Sequence, residues 1–379
     1  MRILLFTGKG GVGKTTLAAA TGAALAARGR KTLVVSTDPA HSLGDAFGHT
    51  LGAEPSEVDA LLSAVQIDAR TLVDTSWHRL RAELQTALAG AGLDTLDAEE
   101  LTVLPGVDDL LALTEVRRLA EDGLWETIVV DCGPTAETLR LLALPEAVSG
   151  YLTRVFGRRG RVIESVRRLG AHLDGLRALL TEPSVTTVRL VLTPERVVVA
   201  EARRTLSSLA LRGIAVDGLI ANRLMPAPGF WRGGAASWLR TRRTQQDAVL
   251  AELAAAGFGP SKLSCVEHRA VEPVGLPALL EIAAELYRGG DPLDGDGTPV
   301  TPLLRVRPAP DGYTLRIAIP LGRDAEVDLA RVDDDLAITV DGFRRLIALP
   351  ESLRPCRITG AESDADGLVV NLAGNRGRG

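Results

Sequence analysis

The chain has 379 residues, of which 46% are hydrophobic and 24% are charged, a composition that excludes disorder, collagen and a disulfide-stabilised miniprotein. Its net charge of −5 argues against nucleic acid as a partner of the whole surface. Three scattered cysteines, the lack of an apolar run of about 18 residues and the lack of a signal peptide indicate a cytoplasmic protein.

The N-terminal part of the chain alternates short β-branched runs with long alanine- and leucine-rich stretches. The first two predicted strands, Ile3–Phe6 and Thr32–Ser36, flank a predicted helix over Thr15–Arg28. Such alternation predicts βαβ units and a mostly parallel sheet, with ligands bound at the carboxyl ends of the strands. The remaining predicted elements of this part are strands at Thr127–Val130, Val188–Leu192 and Leu219–Ala221 and a helix at Glu195–Leu211.

Two blocks, Thr75–Asp122 and Glu146–Leu180, carry leucines at helical spacing without a strand, and we interpret them as an inserted helical subdomain. A Gly/Pro/Asp-rich linker over 288–302 follows the first domain, residues 1–287. From 303 to 373 the period of the apolar residues changes to two, with turn signals between the runs. This pattern predicts a small all-β sandwich after the α/β domain.

The loop after the first strand fits the phosphate-binding pattern G-x-x-x-x-G-K-[ST] from Gly8 to Thr15. Glycines let backbone N–H groups approach phosphate oxygens, and the positive end of the following helix points at the same place. Lys14 is expected to bridge the β- and γ-phosphates of ATP, and the Thr15 hydroxyl to ligate Mg²⁺. The predicted fold class is therefore an α/β P-loop NTPase with an inserted helical subdomain. Its predicted nucleotide-binding loop residues are Gly8, Lys9, Gly10, Gly11, Val12, Gly13, Lys14, Thr15 and Thr16.

Lysine is rare in this chain, with four among the 43 basic residues, yet Lys9 and Lys14 share one loop. The loop reads K-G-G-x-G-K-T, which resembles the deviant Walker A motif of the MinD, ParA and ArsA group of ATPases. In that group the first lysine reaches the nucleotide of the partner subunit. The resemblance therefore implies a homodimer in which Lys9 is a catalytic residue that acts in trans, as an arginine finger does elsewhere.

Further segments resemble the arsenite-pump and tail-anchored-protein-targeting ATPases, in that family's order, over residues 1–287. Asp38 begins an Asp-Pro-Ala-His-Ser segment that corresponds to switch I, and it would orient or deprotonate the attacking water. Asp131 begins the switch II segment 131–142 and would hold Mg²⁺ in a group with Thr15 and Asp38. Cys132 departs from the family pattern, and it is interpreted either as a small buried residue or as a redox-sensitive thiol.

Two more segments are similar to the parts of the family that lie close to the adenine base. They are the pair Asn222 and Arg223, at the end of a predicted strand, and Glu272 in an E-x-x-G-L segment. The paired cysteines that bind zinc in the family are missing, and the corresponding loop 225–238 has aromatic residues instead. We therefore expect no zinc at the dimer interface. Residues 303–373 resemble the small heat-shock (α-crystallin-type) domain of some members.

The resemblance implies a homodimeric Mg-ATP-hydrolysing enzyme that binds or targets a hydrophobic client, such as a tail-anchored membrane protein, with a membrane receptor as a further partner. Leucines of the helical blocks, including Leu110, Leu111 and Leu113, would either line a client groove or pack within their own subdomain. One alternative function is the ATPase subunit of an arsenite or antimonite efflux pump, although As(III) needs clustered thiolates. Another is a positioning ATPase of the MinD or ParA type, for which the arginine-rich stretch 154–168 could face DNA.

Overall fold

The structure is a computed structural model. It describes residues 1–38, 42–67, 107–134, 164–227, 229, 233–255, 262–294, 304–310, 312–318, 326–332, 335–340, 342–349, 353–364 and 367–373. The chain divides into two compact units, one of Met1–Val191 with Arg269–Asp294 and one of Leu192–His268 with Gly295–Gly379. Most of the predicted helical block Thr75–Asp122 lies outside the described residues, as does the first part of the block Glu146–Leu180.

The first unit is built around a sheet that is parallel except for one hairpin. Its described strands are β1 (Arg2–Gly8), β2 (Thr32–Ser36), β3 (Ser56–Asp59), β4 (Leu62–Gln66), β5 (Thr127–Pro134) and β6 (Thr186–Leu192). They lie in the order β3-β4-β2-β5-β1-β6, and only β3 and β4 pair in antiparallel fashion. Leu4, Val34 and Val129 are completely buried, as expected for parallel strands whose two faces are both covered.

The described helices are α1 (Lys14–Ala27), α2 (Ser42–Phe47), α3 (Val107–Glu121), α4 (Glu164–Thr181), α5 (Arg196–Leu211), α6 (Gly234–Ala255) and α7 (Leu276–Tyr287). In the first unit, α1 packs against both α7 and the sheet. Gly22 makes this close approach feasible, because a Cβ at that position would collide with the side chain of Val34. Within the described residues, no helix is both long enough and apolar enough to cross a bilayer.

The second unit contains α5, α6, a parallel strand pair and an antiparallel β-sandwich. The pair consists of β7 (Val216–Leu224) and β8 (Lys262–Glu267). The sandwich strands are β9 (Leu304–Ala309), β10 (Gly312–Ile317), β11 (Val327–Val332), β12 (Asp335–Val340), β13 (Phe343–Ala348), β14 (Arg357–Asp364) and β15 (Gly367–Ala373). They form one sheet in the order β14-β15-β10-β9 and another in the order β11-β12-β13. Leu211, at the end of α5, packs into the same apolar core as Leu315 and Ile338.

The predicted combination of a mostly parallel α/β sheet and a C-terminal all-β sandwich is confirmed. The hairpin of β3 and β4 was not predicted, and Gly234 starts α6 inside the segment 225–238 that was expected to be a loop. The first residues of the predicted linker 288–302 are held to the first unit, because Arg28 donates hydrogen bonds to the carbonyls of Gly289 and Gly290 at 3.0 and 2.6 Å. The domain boundaries 1–287 and 303–373 stay a prediction.

Candidate nucleotide-binding site

The loop of residues 9–13 between β1 and α1 turns at glycines that no other residue type could replace without strain. Gly11 and Gly13 have φ angles of 76° and 90°, in the left-handed region that favours glycine. A Cβ on Gly8 would collide with the carbonyl oxygen of Val191 on β6. A Cβ on Gly10 or Gly11 would instead meet no atom within 4 Å. The backbone of the loop therefore borders open space at Gly10 and Gly11.

Helix α1 begins at Lys14, and its N-terminus is arranged to accept an anion. Gly13 is the N-cap residue and provides no side-chain hydrogen bond, and the first turn contains no acidic residue. The first N–H groups of a helix that lacks such a cap carry partial positive charge and bind anions readily. Lys14 is buried, whereas Lys9 at the start of the loop is exposed. Val12 is also buried, and Thr16 is half-buried on the first turn of α1.

Thr15 links the loop to the helix that follows the predicted switch I. Its Oγ1 lies 3.0 Å from Oγ of Ser42, the first residue of α2. At the other end of α2, the carbonyl of Ala46 accepts a hydrogen bond of 2.9 Å from the N–H of Gly275. Gly275 is the N-cap residue of α7. Two short contacts thus connect the predicted magnesium ligand, α2 and the start of α7.

Asp131 lies at the carboxyl end of β5, in register with Phe6 of β1 and Ser36 of β2. Its side chain is completely buried. Oδ2 accepts a hydrogen bond of 3.4 Å from Ser36 Oγ, whereas Oδ1 has no partner among the described residues. Burial raises the pKa of Asp131 to about 7, and the Thr15 hydroxyl and the Lys14 ammonium oppose this rise. A cation bound beside this carboxylate would favour its charged form.

Asp38 follows β2 by two residues and is half-buried. Its N–H donates to Ser36 Oγ at 3.3 Å, and its carbonyl accepts a hydrogen bond of 2.9 Å from Gln66 Nε2. The charge of Asp38 also contributes to the raised pKa of Asp131, so the two carboxylates are close enough to interact. The structure therefore brings Thr15, Asp38 and Asp131 together at the carboxyl ends of neighbouring strands. The switch residues 39–41 and 135–142 lie outside the described residues.

The predicted adenine contacts belong to different parts of the fold. Asn222 lies in β7 of the second unit and is 9% exposed. The next residue, Arg223, has a positive φ of 58°, and its carbonyl accepts a hydrogen bond of 3.3 Å from Gln246 Nε2. Glu272 is exposed in the first unit, in the segment that leads to α7. The roles of these three residues at the adenine base stay predictions.

The structure favours one of the two interpretations of Cys132. The residue is 5% exposed on β5. Burial raises the pKa of its thiol well above the ordinary range, and the neighbouring charge of Asp131 acts in the same direction. A thiol that stays protonated is a poor nucleophile and a poor metal ligand. Cys132 therefore fits the interpretation as a small buried residue.

Sequence reasoning missed two polar residues that the structure places beside the predicted site. Ser42 contacts Thr15, and Gln66 contacts Asp38 through the hydrogen bonds described above. Ser42 was visible as the last letter of the Asp-Pro-Ala-His-Ser segment. Gln66 belongs to no motif, and its only signal in the sequence is a polar residue at the end of an apolar strand.

The glycine loop, the anion-accepting helix N-terminus and the unpartnered oxygen of Asp131 beside Thr15 all fit a magnesium-bound nucleotide. The fold and this site define a P-loop ATPase. The chain belongs to the anion-transporting ATPase family, whose family model matches residues 1–171 and 156–288. The model for the HSP20-like domain found in ArsA matches residues 310–372. The predicted family and the predicted small heat-shock-type domain are both confirmed.

The relatives of this chain carry several names. Protein Rv2184c of Mycobacterium tuberculosis is 36% identical, over 99% of this chain and 96% of that protein. A protein of Chlorobaculum tepidum named "Putative arsenical pump-driving ATPase" is 33% identical, over 93% of this chain and 91% of that protein. The ATPase GET3 of Malassezia globosa is 29% identical, over 74% of this chain and 90% of that protein. These similarities support ATP hydrolysis. The relatives include both a protein named as an arsenical pump-driving ATPase and a protein named GET3, so their names are compatible with more than one of the functions predicted from the sequence.

Proposed function

We propose that this ATPase works as a homodimer that closes around two magnesium-bound ATP molecules and opens after hydrolysis, and that this cycle binds and releases a hydrophobic client. The observation that carries the proposal is the contact of 3.0 Å between the hydroxyls of Thr15 and Ser42. It joins Thr15, a proposed nucleotide-binding residue, to Ser42, which is both the last residue of the predicted switch I segment and the first residue of α2. A ligand that binds the closed state better than the open state shifts the population toward closure.

The path from the nucleotide to the rest of the first unit is short. A Thr15 hydroxyl that serves as a metal ligand keeps its proton and can donate it to Ser42, so the contact of 3.0 Å would connect the metal to the first residue of α2. Helix α2 holds the start of α7 through the bond between Gly275 and Ala46. The proposal requires that α2 adopt two arrangements, one with ATP bound and one after hydrolysis, because coupling between sites needs such a two-state element.

Each residue of the site has a distinct proposed role. Lys14 and the backbone of the loop bind the phosphate groups, and Thr15 and Asp131 hold Mg²⁺, which neutralises charge on the phosphates. Asp38 orients the attacking water and accepts its proton. Lys9 is exposed in its own protomer, and this exposure supports a role at the nucleotide of the partner subunit. The absence of zinc from the interface, a membrane receptor and a cytoplasmic location stay predictions.

Four leucines of the helical blocks bear on the predicted client groove. Leu111 and Leu113 are 4% and 3% exposed, which fits the interpretation that they pack within their own subdomain. Leu173 and Leu176 of α4 are completely buried as well. The side chain of Leu110 and residues 68–106 and 135–163 lie outside the described residues. We therefore assign the client surface to residues other than these four leucines.

The arsenical pump is the second candidate function, because relatives such as that of Chlorobaculum tepidum carry this name. Its requirement for clustered thiolates is difficult to meet in this chain. None of the three cysteines forms a disulfide bond, and Cys132 and Cys356 are buried. Metalloid-stimulated hydrolysis by the purified protein would favour this function over the client-binding one.

Asp38→Asn tests the proposed function, because it removes the proton acceptor and leaves the phosphate-binding loop intact. We expect this variant to bind ATP and to form a dimer by light scattering, with turnover reduced by about a hundredfold or more. The trapped dimer is then offered a fluorescent peptide of about 20 apolar residues, arsenite or duplex DNA. ATP-dependent binding of the peptide supports the proposal, whereas binding of arsenite or DNA alone contradicts it.

Asp59→Asn, in the exposed hairpin strand β3, is the matched control for this experiment. It makes the same chemical change away from the loop and should turn over ATP like the wild type. Wild-type turnover by Asp38→Asn would remove Asp38 from the mechanism.

A further inference from the structure

One buried polar side chain beside Asp38 has no role in the site as described so far. Gln66 is the last residue of β4, is 5% exposed and pairs in register with Ser36 of β2. Its side-chain Nε2 donates a hydrogen bond of 2.9 Å to the carbonyl of Asp38. Its Oε1 is buried and has no hydrogen-bond partner among the described residues.

The bond from Gln66 holds Asp38 at a point where the regular pairing of β2 has ended. The ladder between β2 and β4 runs as far as Ser36 and Gln66, and the N–H of Ile67 then donates to the carbonyl of Ser36 at 2.9 Å. Asp38 lies beyond this ladder, so a side-chain amide takes the place of a backbone donor from the neighbouring strand. The Gln66 side chain therefore holds the carbonyl of Asp38, while Ser36 Oγ accepts a hydrogen bond from the N–H of the same residue.

The backbone of Gln66 is itself fixed, which makes the side chain a firm support. Its N–H donates to the carbonyl of Gly52 at 3.0 Å, and its neighbours Val65 and Ile67 are 1% and 5% exposed. A buried long side chain has lost most of its rotamer freedom, so little further entropy is lost when it holds a partner.

Because Oε1 has no hydrogen-bond partner among the described residues, the amide fits a role in activity better than a role in stability. A buried acceptor without a partner costs free energy, and an apolar side chain of the same length would avoid that cost. Residues that break a local rule of stability in this way are concentrated at functional sites. Asp131 Oδ1, at the carboxyl end of β5, is also buried without a partner among the described residues.

We propose that Gln66 is a positioning residue of the ATPase, and that its amide holds the Asp38 backbone so that the Asp38 carboxylate faces the attacking water. This inference rests on the proposed role of Asp38. Gln66 touches neither nucleotide nor metal in this proposal, and it acts through Asp38 alone. Loss of the amide should therefore lower kcat and leave ATP affinity unchanged, because the phosphate-binding loop keeps its own contacts.

The test compares Gln66→Met, Asp38→Asn and the double variant. Methionine keeps the length and apolar stem of glutamine and lacks the N–H donor. We expect kcat of Gln66→Met to fall roughly tenfold to a hundredfold, a range typical of a misplaced catalytic group. KM and the affinity for a fluorescent ATP analogue should stay within about twofold of the wild type. In the Asp38→Asn background, Gln66→Met should cause no further fall in single-turnover rate, because two residues that act as one unit are not additive.

Thr127→Val is the matched control, since Thr127 is also buried, belongs to the same sheet and has an unpartnered side-chain oxygen among the described residues. It lies at the amino end of β5, away from Asp38, and its variant should keep wild-type kcat. Gln66→Asn covers the case in which Gln66→Met fails to fold. It retains a buried amide but withdraws the donor by one methylene, so the same selective loss of kcat is expected.

Several results would overturn the inference. If Gln66→Met keeps the wild-type kcat while Asp38→Asn is inactive, Gln66 has no positioning role, and the proposed function is unaffected. The same conclusion would follow if Gln66→Met lowered the single-turnover rate of Asp38→Asn by the same factor as it lowers that of the wild type. It would also follow if Gln66→Met lowered the ATP affinity as much as it lowers kcat. Full turnover by Asp38→Asn would instead refute the proposed role of Asp38, and the inference with it.

Discussion

The residues of the candidate site lie near the carboxyl ends of neighbouring parallel strands. Ser36, Asp131 and Phe6 share one row across β2, β5 and β1, and Gln66 continues that row on β4. The carboxyl ends of such strands meet at one edge of the sheet, where ligands bind. Asp38 and Asp131 are almost a hundred residues apart in sequence, and this register is what brings them close together.

Lys14→Ala should abolish nucleotide binding. Lys14 is 5% exposed at the N-terminus of α1, where no other side chain of the loop can replace a buried positive charge. We expect the affinity for a fluorescent ATP analogue to fall by at least about a hundredfold, as removal of a buried charge contact does. Lys31→Ala is the control. Lys31 directly precedes β2, and its ammonium lies 5.2 Å from the ring centroid of Trp125. Its loss should leave the ATP affinity unchanged. Retained ATP binding in Lys14→Ala would contradict the assignment of the loop.

The parts of the candidate site whose chemistry is local could be predicted from the sequence. The glycine loop, Lys14 and Thr15 form one continuous motif, and the resemblance to the family's switch segments indicated Asp38 and Asp131. Gln66 was missed because a glutamine that bonds to a backbone carbonyl on another strand leaves no pattern in the sequence. The left-handed conformation of Arg223 was missed for a related reason. Tertiary contacts, here with Gln246, impose a backbone conformation that its residue type disfavours.

Helices α3 and α4 are joined by hydrogen bonds at His172. Arg117 of α3 donates a hydrogen bond of 3.1 Å to the carbonyl of His172 on α4. The His172 ring nitrogen lies 3.1 Å from the Thr114 hydroxyl, and a Cβ on Gly175 would collide with the Arg117 guanidinium. Burial lowers the pKa of His172 from 6.5, and the positive charge of Arg117 lowers it further, against an opposing effect of Glu121. His172 is therefore neutral in the folded protein near neutral pH.

The free energy of unfolding should consequently decrease as the pH falls. A lowered pKa means that the unfolded chain binds this proton more readily, so the stabilisation is present above pH 6.5 and is lost as the pH falls below that value. His172→Gln keeps a hydrogen-bonding side chain that does not titrate. Urea unfolding between pH 7.5 and 5 should show a steeper loss in the wild type than in His172→Gln. Parallel curves for the two proteins would contradict this prediction.

The segment after α7 is anchored by arginines that lie on elements distant in sequence. Arg189 of β6 is 6% exposed and donates to the Tyr287 hydroxyl at 2.8 Å and to the carbonyl of Pro292. Arg30 forms an ion pair with Asp291. Composition predicted a linker here, because glycine, proline and aspartate are typical of one. The arginines that hold it could not be matched to it from sequence alone.

Two truncations test this anchoring. A chain that ends at Asp294 keeps the partners of Arg189 and Arg30, whereas a chain that ends at Arg288 leaves a buried guanidinium without the Pro292 carbonyl. Removal of one partner of a buried charge is strongly destabilising. We expect the shorter chain to melt at least several degrees lower by differential scanning calorimetry. Both chains expose Leu211 by loss of the sandwich, so this effect cancels in the comparison. Equal melting temperatures would show that the segment is dispensable.

The hairpin of β3 and β4 shows where element prediction from sequence ends. The buried strands β1, β2 and β5 are continuous apolar runs, and their positions were predicted closely. Strand β3 has four residues that alternate between half-buried and exposed, which is too short and too polar for its period to be visible. Strand β4 was missed with it, although its burial is nearly complete.

The whole molecule combines the ATPase part, matched over 1–288, with an HSP20-like part, matched over 310–372. Under the proposed function, each copy of the chain supplies Lys9 to the site of the other copy. Lys9 is exposed, as this role requires. A Lys9→Ala subunit would then lack a residue of its partner's site, whereas an Asp38→Asn subunit would lack a residue of its own site.

The most direct test mixes these two inactive variants in equal amounts and measures ATP hydrolysis. If Lys9 acts in trans, half of the dimers are mixed and each has one intact site, so about a quarter of the wild-type rate should return. A mixture of Lys14→Ala with Asp38→Asn should recover nothing, because both residues serve the site of their own protomer. We expect recovery in the first mixture only. A first mixture that stays at the level of the separate variants would contradict this expectation.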